Sequence, residues 1–492
     1  MLRFHVGTEI TTFYPNNESD NDMQTILNTV AYISKTGFDQ GLQYFQSNNF
    51  TVAIKAFKQI NFVAISNILS PKTLVYQIQI IKNIATFLFG PNFQQFMLHE
   101  ISSSYQAVFA KYVNTFLKSV ENNPRTLLAM VKHDHSYYEN SKLAALRAHQ
   151  GAIPDEVKFQ ECIIFCNHRI VGRFTRKNAA PLNCFDLFIL SLFESIEFSE
   201  ESSEDRSFLN PNYVTSVNPS NIQYKGGYLL VSGTVQRCSI AVSRLGNNSA
   251  YTMLFISQDT VSQQQRDLIR NIMGIIAESV MGIFKPPTNI CTFQNPVTIF
   301  TQIIINRSTG ESFEFAPAMS EKAEKVYNLI MRNIINKSSE AMPRGYQTML
   351  WNDGRFTFLY EMRFENIYGV FADVETSLKN ENKILVDSKN ISYENIAIEI
   401  FGPAMEYSVY EIFTVFVSTI DQKSAVVLSR QFSENTIKQL SPKIDTRKRK
   451  IKSQSSLNLF STYSSHRRMS SQPKSSRPIL ALGVMKTPQK NL

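Results

Sequence analysis

The sequence predicts an α+β protein of three similar modules, each a five-stranded, mostly antiparallel sheet flanked by helices, followed by a disordered basic tail. Three observations predict it. Period-two strand patterns and helical apolar stripes recur three times in one order: two strands, a helix, about three strands, then one or two helices. The 492 residues suit about three domains at the usual ~150 residues each, and with 43% hydrophobic and 18% charged residues most of the chain can bury a core. From about Ser441 the apolar period stops and Ser, Lys, Arg and Pro take over. The expected limits are 1–120, a linker at 121–157, then 158–285, 286–440 and the tail 441–492.

The first module opens with a strand over 2–13, a polar Asn/Asp loop and a helix near 22–36, followed by strands 42–46, 50–57 and 60–66. In the middle strand Val52, Ile54 and Ala56 share one face and Lys55 takes the other. Ser70-Pro71 opens a helix, since proline suits a first turn. Leu74, Ile78, Ile81, Ala85 and Leu88 step by three and four into one apolar stripe, Gly90-Pro91 ends it, and a further helical stretch runs to about Lys118.

The second module pairs strands 159–166 and 169–174 through Asn167-His168, and Phe185, Phe188, Ile189, Leu192, Phe193 and Ile196 line one side of a helix over 183–198. An acidic serine loop (200–205) precedes strands at 227–243 and 250–257 and a helix at 261–284. The third module begins with 297–306, turns through Arg307–Gly310, and returns through 311–315 to a helix at 320–336. Strands 345–351, 355–364 and 367–374 follow, with Asn352-Asp353-Gly354 and Asn366 at the turns, and helical segments fill 391–438.

The net charge of +9 belongs to the tail: from Lys443 onward twelve Lys/Arg face one acid, Asp445, leaving the body slightly negative. Nucleic-acid binding is therefore not expected. Arg447, Lys448, Arg449 and Lys450 read as an anionic-lipid patch, a nuclear-import signal or a solubilising run. Arg467-Arg468-Met469-Ser470 has the two-basic-then-serine pattern of a phosphorylation site, at Ser470. Five scattered cysteines fit a reducing compartment. No apolar run approaches the ~20 residues of a membrane span, so a cytoplasmic protein with peripheral membrane contact is expected.

The motifs of covalent chemistry are missing: no phosphate-binding Gly-x-x-x-x-Gly-Lys, no His-Glu-x-x-His, no Gly-x-Ser-x-Gly. Cys162 and Cys166 lie four apart on a strand, where core thiols fit better than a zinc knuckle. His133-Asp134-His135 reads as a solvated loop in the linker, and Asp353 as turn chemistry. No catalytic residue, metal or cofactor is expected.

Ile305-Asn-Arg-Ser-Thr-Gly310 and the run Arg344–Asn366, with its Gly-Tyr-x-Thr, its hairpin and its closing Phe-Glu-Asn, resemble the tri-longin family of the Fuzzy, Mon and Hermansky–Pudlak proteins, the Hermansky–Pudlak branch most closely. Val409–Phe413 is a fainter echo, and the tail has no counterpart. The resemblance implies three longin-type modules. It implies a non-enzymatic subunit that joins a second tri-longin protein as a heterodimer and promotes nucleotide exchange on a Rab GTPase at endosomal or lysosome-related membranes. A Fuzzy-like planar-polarity or ciliary scaffold is the alternative. If the first modules pair, helix 22–36 and the strand carrying Phe50, Val52, Ile54 and Phe57 are the expected interface.

Overall fold

The computed structural model describes residues 2–6, 11–12, 44–46, 50–57, 60–98, 103–133, 153–176, 182–198, 222–231, 234–245, 251–281, 298–315, 321–341, 348–366, 369–372, 407–417 and 420–440. The expected helix 22–36, the acidic loop and the tail 441–492 lie outside them.

Fifteen described strands form three antiparallel sheets. The first has β1 (Leu2–Val6), β2 (Thr11–Thr12), β3 (Tyr44–Gln46), β4 (Thr51–Phe57) and β5 (Ile60–Ser66); side-chain burial is described for the last three. The second has β6 (Phe159–Cys166), β7 (Arg169–Thr175), β8 (Gln223–Val231), β9 (Thr234–Arg244) and β10 (Tyr251–Gln258). The third has β11 (Ile299–Asn306), β12 (Ser312–Phe315), β13 (Thr348–Asn352), β14 (Thr357–Asn366) and β15 (Tyr407–Phe416). Each sheet repeats one order: the second strand at an edge, the first beside it, then the fifth, fourth and third. The fifth strand thus closes each module by returning next to the first.

Helices α1 (Pro71–Phe89), α2 (Phe93–Leu98) and α3 (Ser103–Asn122) follow the first sheet. Among the described residues of the other two modules, one helix separates the second and third strands, α4 (Cys184–Phe198) and α6 (Glu321–Ala341), and one follows the fifth, α5 (Gln263–Met281) and α7 (Gln422–Leu440). Local chemistry sets these limits. The Ser70 hydroxyl accepts from Thr73 N at 3.3 Å with Pro71 in the first turn of α1. Asn183 Oδ1 accepts from Asp186 N at 2.9 Å and caps α4. In the β13–β14 turn Asp353 Oδ1 accepts from Arg355 N and Phe356 N, and Gly354 takes a φ of 92°.

Alternate residues of the second and third sheets enter different cores. Ile163, Phe165, Leu254, Tyr360 and Phe413 face a core that continues through α1, α3, α4 and α6 and includes Ala53, Phe62 and Ala64 of the first sheet. Cys162, Ile164 and Phe255 face α5, while Leu359 and Phe416 face α7. One hydrophobic core therefore joins all three modules, and residues 1–440 form one compact unit.

Three sequence expectations are corrected. The third sheet closes with β15, not with a strand at 367–374, and Tyr407–Phe416 is strand where helix was expected. The strand reads Tyr-Ser-Val-Tyr-Glu-Ile-Phe-Thr-Val-Phe, and its polar residues Ser408, Glu411 and Thr414 recur at every third position, closer to helical spacing than to strand alternation. The expected strand 227–243 is two, β8 and β9, paired antiparallel. The linker is packed structure over 124–133, as its contacts show below. No helix among the described residues is long and apolar enough to cross a membrane.

Candidate partner surface

β4 lies between β5 and β3, so both its faces are candidates for burial. Val52 and Ile54 join Val63 and Ile65 in a small cluster and are 0% and 2% exposed; half-buried Phe50 packs against it. Phe57 is half-buried against the shared core, edge-on to Phe62 at 5.1 Å and 6.3 Å from Phe93. The four expected anchors are thus divided between two clusters. Val52 and Ile54 are buried within the chain.

The accessible part of this region is polar and cationic. Lys55 Nζ donates to Gln79 Oε1 at 3.1 Å, and Gln79 Nε2 donates to Asn83 Oδ1 at 3.2 Å. Lys55 Nζ and Lys82 Nζ lie 5.5 and 5.9 Å from the centre of the same Phe57 ring. Lys72 Nζ lies 5.8 Å from the ring of Tyr44, which is exposed on the edge strand β3. Burial, then the neighbouring Lys82 cation, hold the Lys55 ammonium below the ordinary lysine range. Lys72 and Lys82 went unnoticed in the sequence; their signal was a lysine pair ten residues apart on the polar side of α1.

A second polar constellation ties the modules together. The 3₁₀ turn Pro124–Leu128 is capped by Asn123, and Arg125 pairs with Glu314 of β12. Lys132 Nζ lies 3.2 Å from Glu314, and Tyr327 Oη of α6 donates to Glu314 at 2.9 Å. Burial raises the Glu314 carboxyl, but Lys132 and Arg125 outweigh it and hold the group below its usual range. Lys132 O accepts from Ile170 N at 2.9 Å, and the Ser312 hydroxyl donates to Val131 O at 2.5 Å. His133 is buried at 8% exposure and bridges to Ile170, which corrects the solvated-loop reading; Asp134 and His135 lie outside the described residues.

The turn after β11 enters the same junction. Arg307 Nε donates to Glu411 Oε2 at 2.7 Å, and Nη1 donates to Leu128 O at 2.7 Å. Arg173 pairs with buried Glu161 and donates to Thr309 O and Leu182 O. Gly310 has a φ of 76°, and a Cβ there would collide with Leu187 and press on the Cys184 backbone. Arginines ending apolar strands were the available sequence signal for this junction.

Cys162 is fully buried and its thiol is pushed far above the usual range by burial, then by Glu161. Cys166 is half-buried, and both belong to the α5-side core, as core thiols would. No group of three or more His, Cys, Asp or Glu among the described residues is placed to hold a metal ion.

No protein-family model and no curated protein matches the chain.

Arg447, Lys448, Arg449, Lys450 and Ser470 lie outside the described residues.

Proposed function

We propose that this chain is a non-catalytic subunit of a heterodimeric Rab guanine-nucleotide exchange factor, acting in vesicle traffic at endosomal or lysosome-related membranes. Its partner is a second tri-longin protein. The observation that carries the reading is the threefold repetition of one antiparallel five-stranded sheet order with flanking helices. This is the kind of module that the resemblance of Ile305–Gly310 and Arg344–Asn366 implies. Exchange requires no general base: a surface that binds the nucleotide-free GTPase better than the loaded one is sufficient. A compact unit with one continuous core suits that task. Arg447–Lys450 would add membrane attraction of about 1 kcal/mol per cation near an anionic leaflet.

The test is recovery of the tagged full-length chain from native cells, identification of its stoichiometric partner, and labelled-GDP release from a panel of Rabs with the purified pair. A second tri-longin chain in the eluate and at least tenfold faster release from one Rab are expected. A pair that accelerates no Rab makes the chain a Fuzzy-like scaffold, and an eluate without a second tri-longin chain refutes the pairing.

A further inference from the structure

Lys55 and Lys82 come from different elements, β4 and α1, yet converge on one aromatic ring. No ion pair joins Lys55, Lys72 or Lys82 to a described carboxylate; Lys55 is held by Gln79, an uncharged group. Two ammonium groups gathered at one ring repel each other, and the ring's quadrupole offsets only part of that repulsion. A carboxylate set between them would relieve this repulsion.

The spacing adds a direction. Lys72 and Lys82 are ten residues apart on one helix, about 15 Å along its axis. An extended peptide covers roughly 13–14 Å in four residues and presents every second side chain to one side. Acids at alternate positions of an extended segment therefore match the reach from Lys72 to the Lys55–Lys82 pair. Tyr44 stands exposed on the neighbouring edge strand and supplies an aromatic contact at the Lys72 end.

We propose that Lys55, Lys72 and Lys82, with Tyr44 and Phe57, receive an acidic, extended segment of a protein partner. A flat bilayer fits this surface less well. The three lysines are half-buried and laid against rings, where headgroup contact needs protruding cations. The inference deepens the pairing reading by giving the first module an accessible surface beside buried Val52 and Ile54, and it rests on that reading only for the partner's identity.

The full-length chain is titrated into a fluorescein-labelled peptide of alternating Glu and Ser, read by anisotropy, and joined to it by carbodiimide cross-linking with mass spectrometry. The variant K55E/K82E is expected to bind about tenfold more weakly or worse, while K337E/K423E, reversed at exposed lysines elsewhere, stays within twofold. Cross-links are expected at Lys55 or Lys82, and wild-type affinity should fall as salt rises. If K55E/K82E does not fold, K55Q/K82Q replaces it, with at least threefold weakening expected. Equal binding by variant and wild type, or cross-links confined to tail lysines, overturns the proposal. So does a variant that leaves vesicles of 30% phosphatidylserine but keeps its grip on the peptide, since the surface is then a lipid contact. Because the probe is a synthetic peptide, a failure to recover any partner refutes the pairing reading without touching this result.

Discussion

Asp186 offers the sharpest test of the shared core. It sits in the first turn of α4, where Oδ2 accepts from Leu230 N and from Asn183 Nδ2, each at 2.9 Å. Burial outweighs these hydrogen bonds and pushes the carboxyl up from 3.8 to about 6. The sign is the reverse of the usual salt-bridged carboxylate. Between about pH 4 and 6 the native state binds more protons than the unfolded chain, so this group's contribution to stability falls as pH rises through that window. Above it the folded protein carries a penalty of about 3 kcal/mol, from roughly two pKa units at 1.36 kcal/mol each. Asp186→Asn keeps an acceptor for Leu230 N and removes the charge. The variant is therefore expected to be more stable than wild type by about 2–3 kcal/mol at pH 7.5, with the advantage fading by pH 4. With an unfolding entropy of roughly 2 cal/mol/K per residue over the 440-residue unit, this corresponds to a Tm about 2–3 °C higher. Thermal unfolding of both proteins at pH 7.5, 6, 5 and 4 reads it. A difference in Tm that is negative at pH 7.5, or that does not change with pH, refutes the reasoning.

Two glycines with positive φ separate backbone strain from packing. Gly310→Ala adds a collision with Leu187 and Cys184 to the strain and is expected to cost about 2–4 kcal/mol, whereas Gly354→Ala meets nothing within 4 Å and should cost about 1 kcal/mol, both by denaturant unfolding. Arg307→Leu leaves Glu411 buried without its cation and should cost about 3–5 kcal/mol; the double variant Arg307→Leu, Glu411→Leu should recover most of that, and failure to recover it argues against a charge-pair origin. Of the four described cysteines, Cys166 should alkylate first in the native protein. Burial pushes the Cys238 thiol up to about 12 and those of Cys162 and Cys184 above their ordinary range, so equal labelling of all four by mass spectrometry would refute the buried-thiol reading.

The sequence by itself determined the modules: strand and helix periods located β4 to β7, α1, α4 and the β13–β14 hairpin within a few residues, because an amphipathic element writes its buried face into its own spacing. It also assigned the positive charge to the tail. It left three things undecided. β15 was legible only once its two neighbours, β11 and β14, were in place, since it is buried along most of its length and its polar residues Ser408, Glu411 and Thr414 do not alternate. Val52 and Ile54 had the right alternation for an interface, but spacing names an apolar face without naming what covers it. His133, Arg173, Arg307 and Gly310 looked like linker, strand end and turn; only the packing of 124–133 and the β11–β12 turn against α4 made them one junction. The same holds for Lys55 and Lys82, which share the ring of Phe57 because α1 packs across β4. Patterns within one element are local and survive in the sequence. Contacts between elements depend on how three sheets share a single core, and that was decided by the tertiary structure.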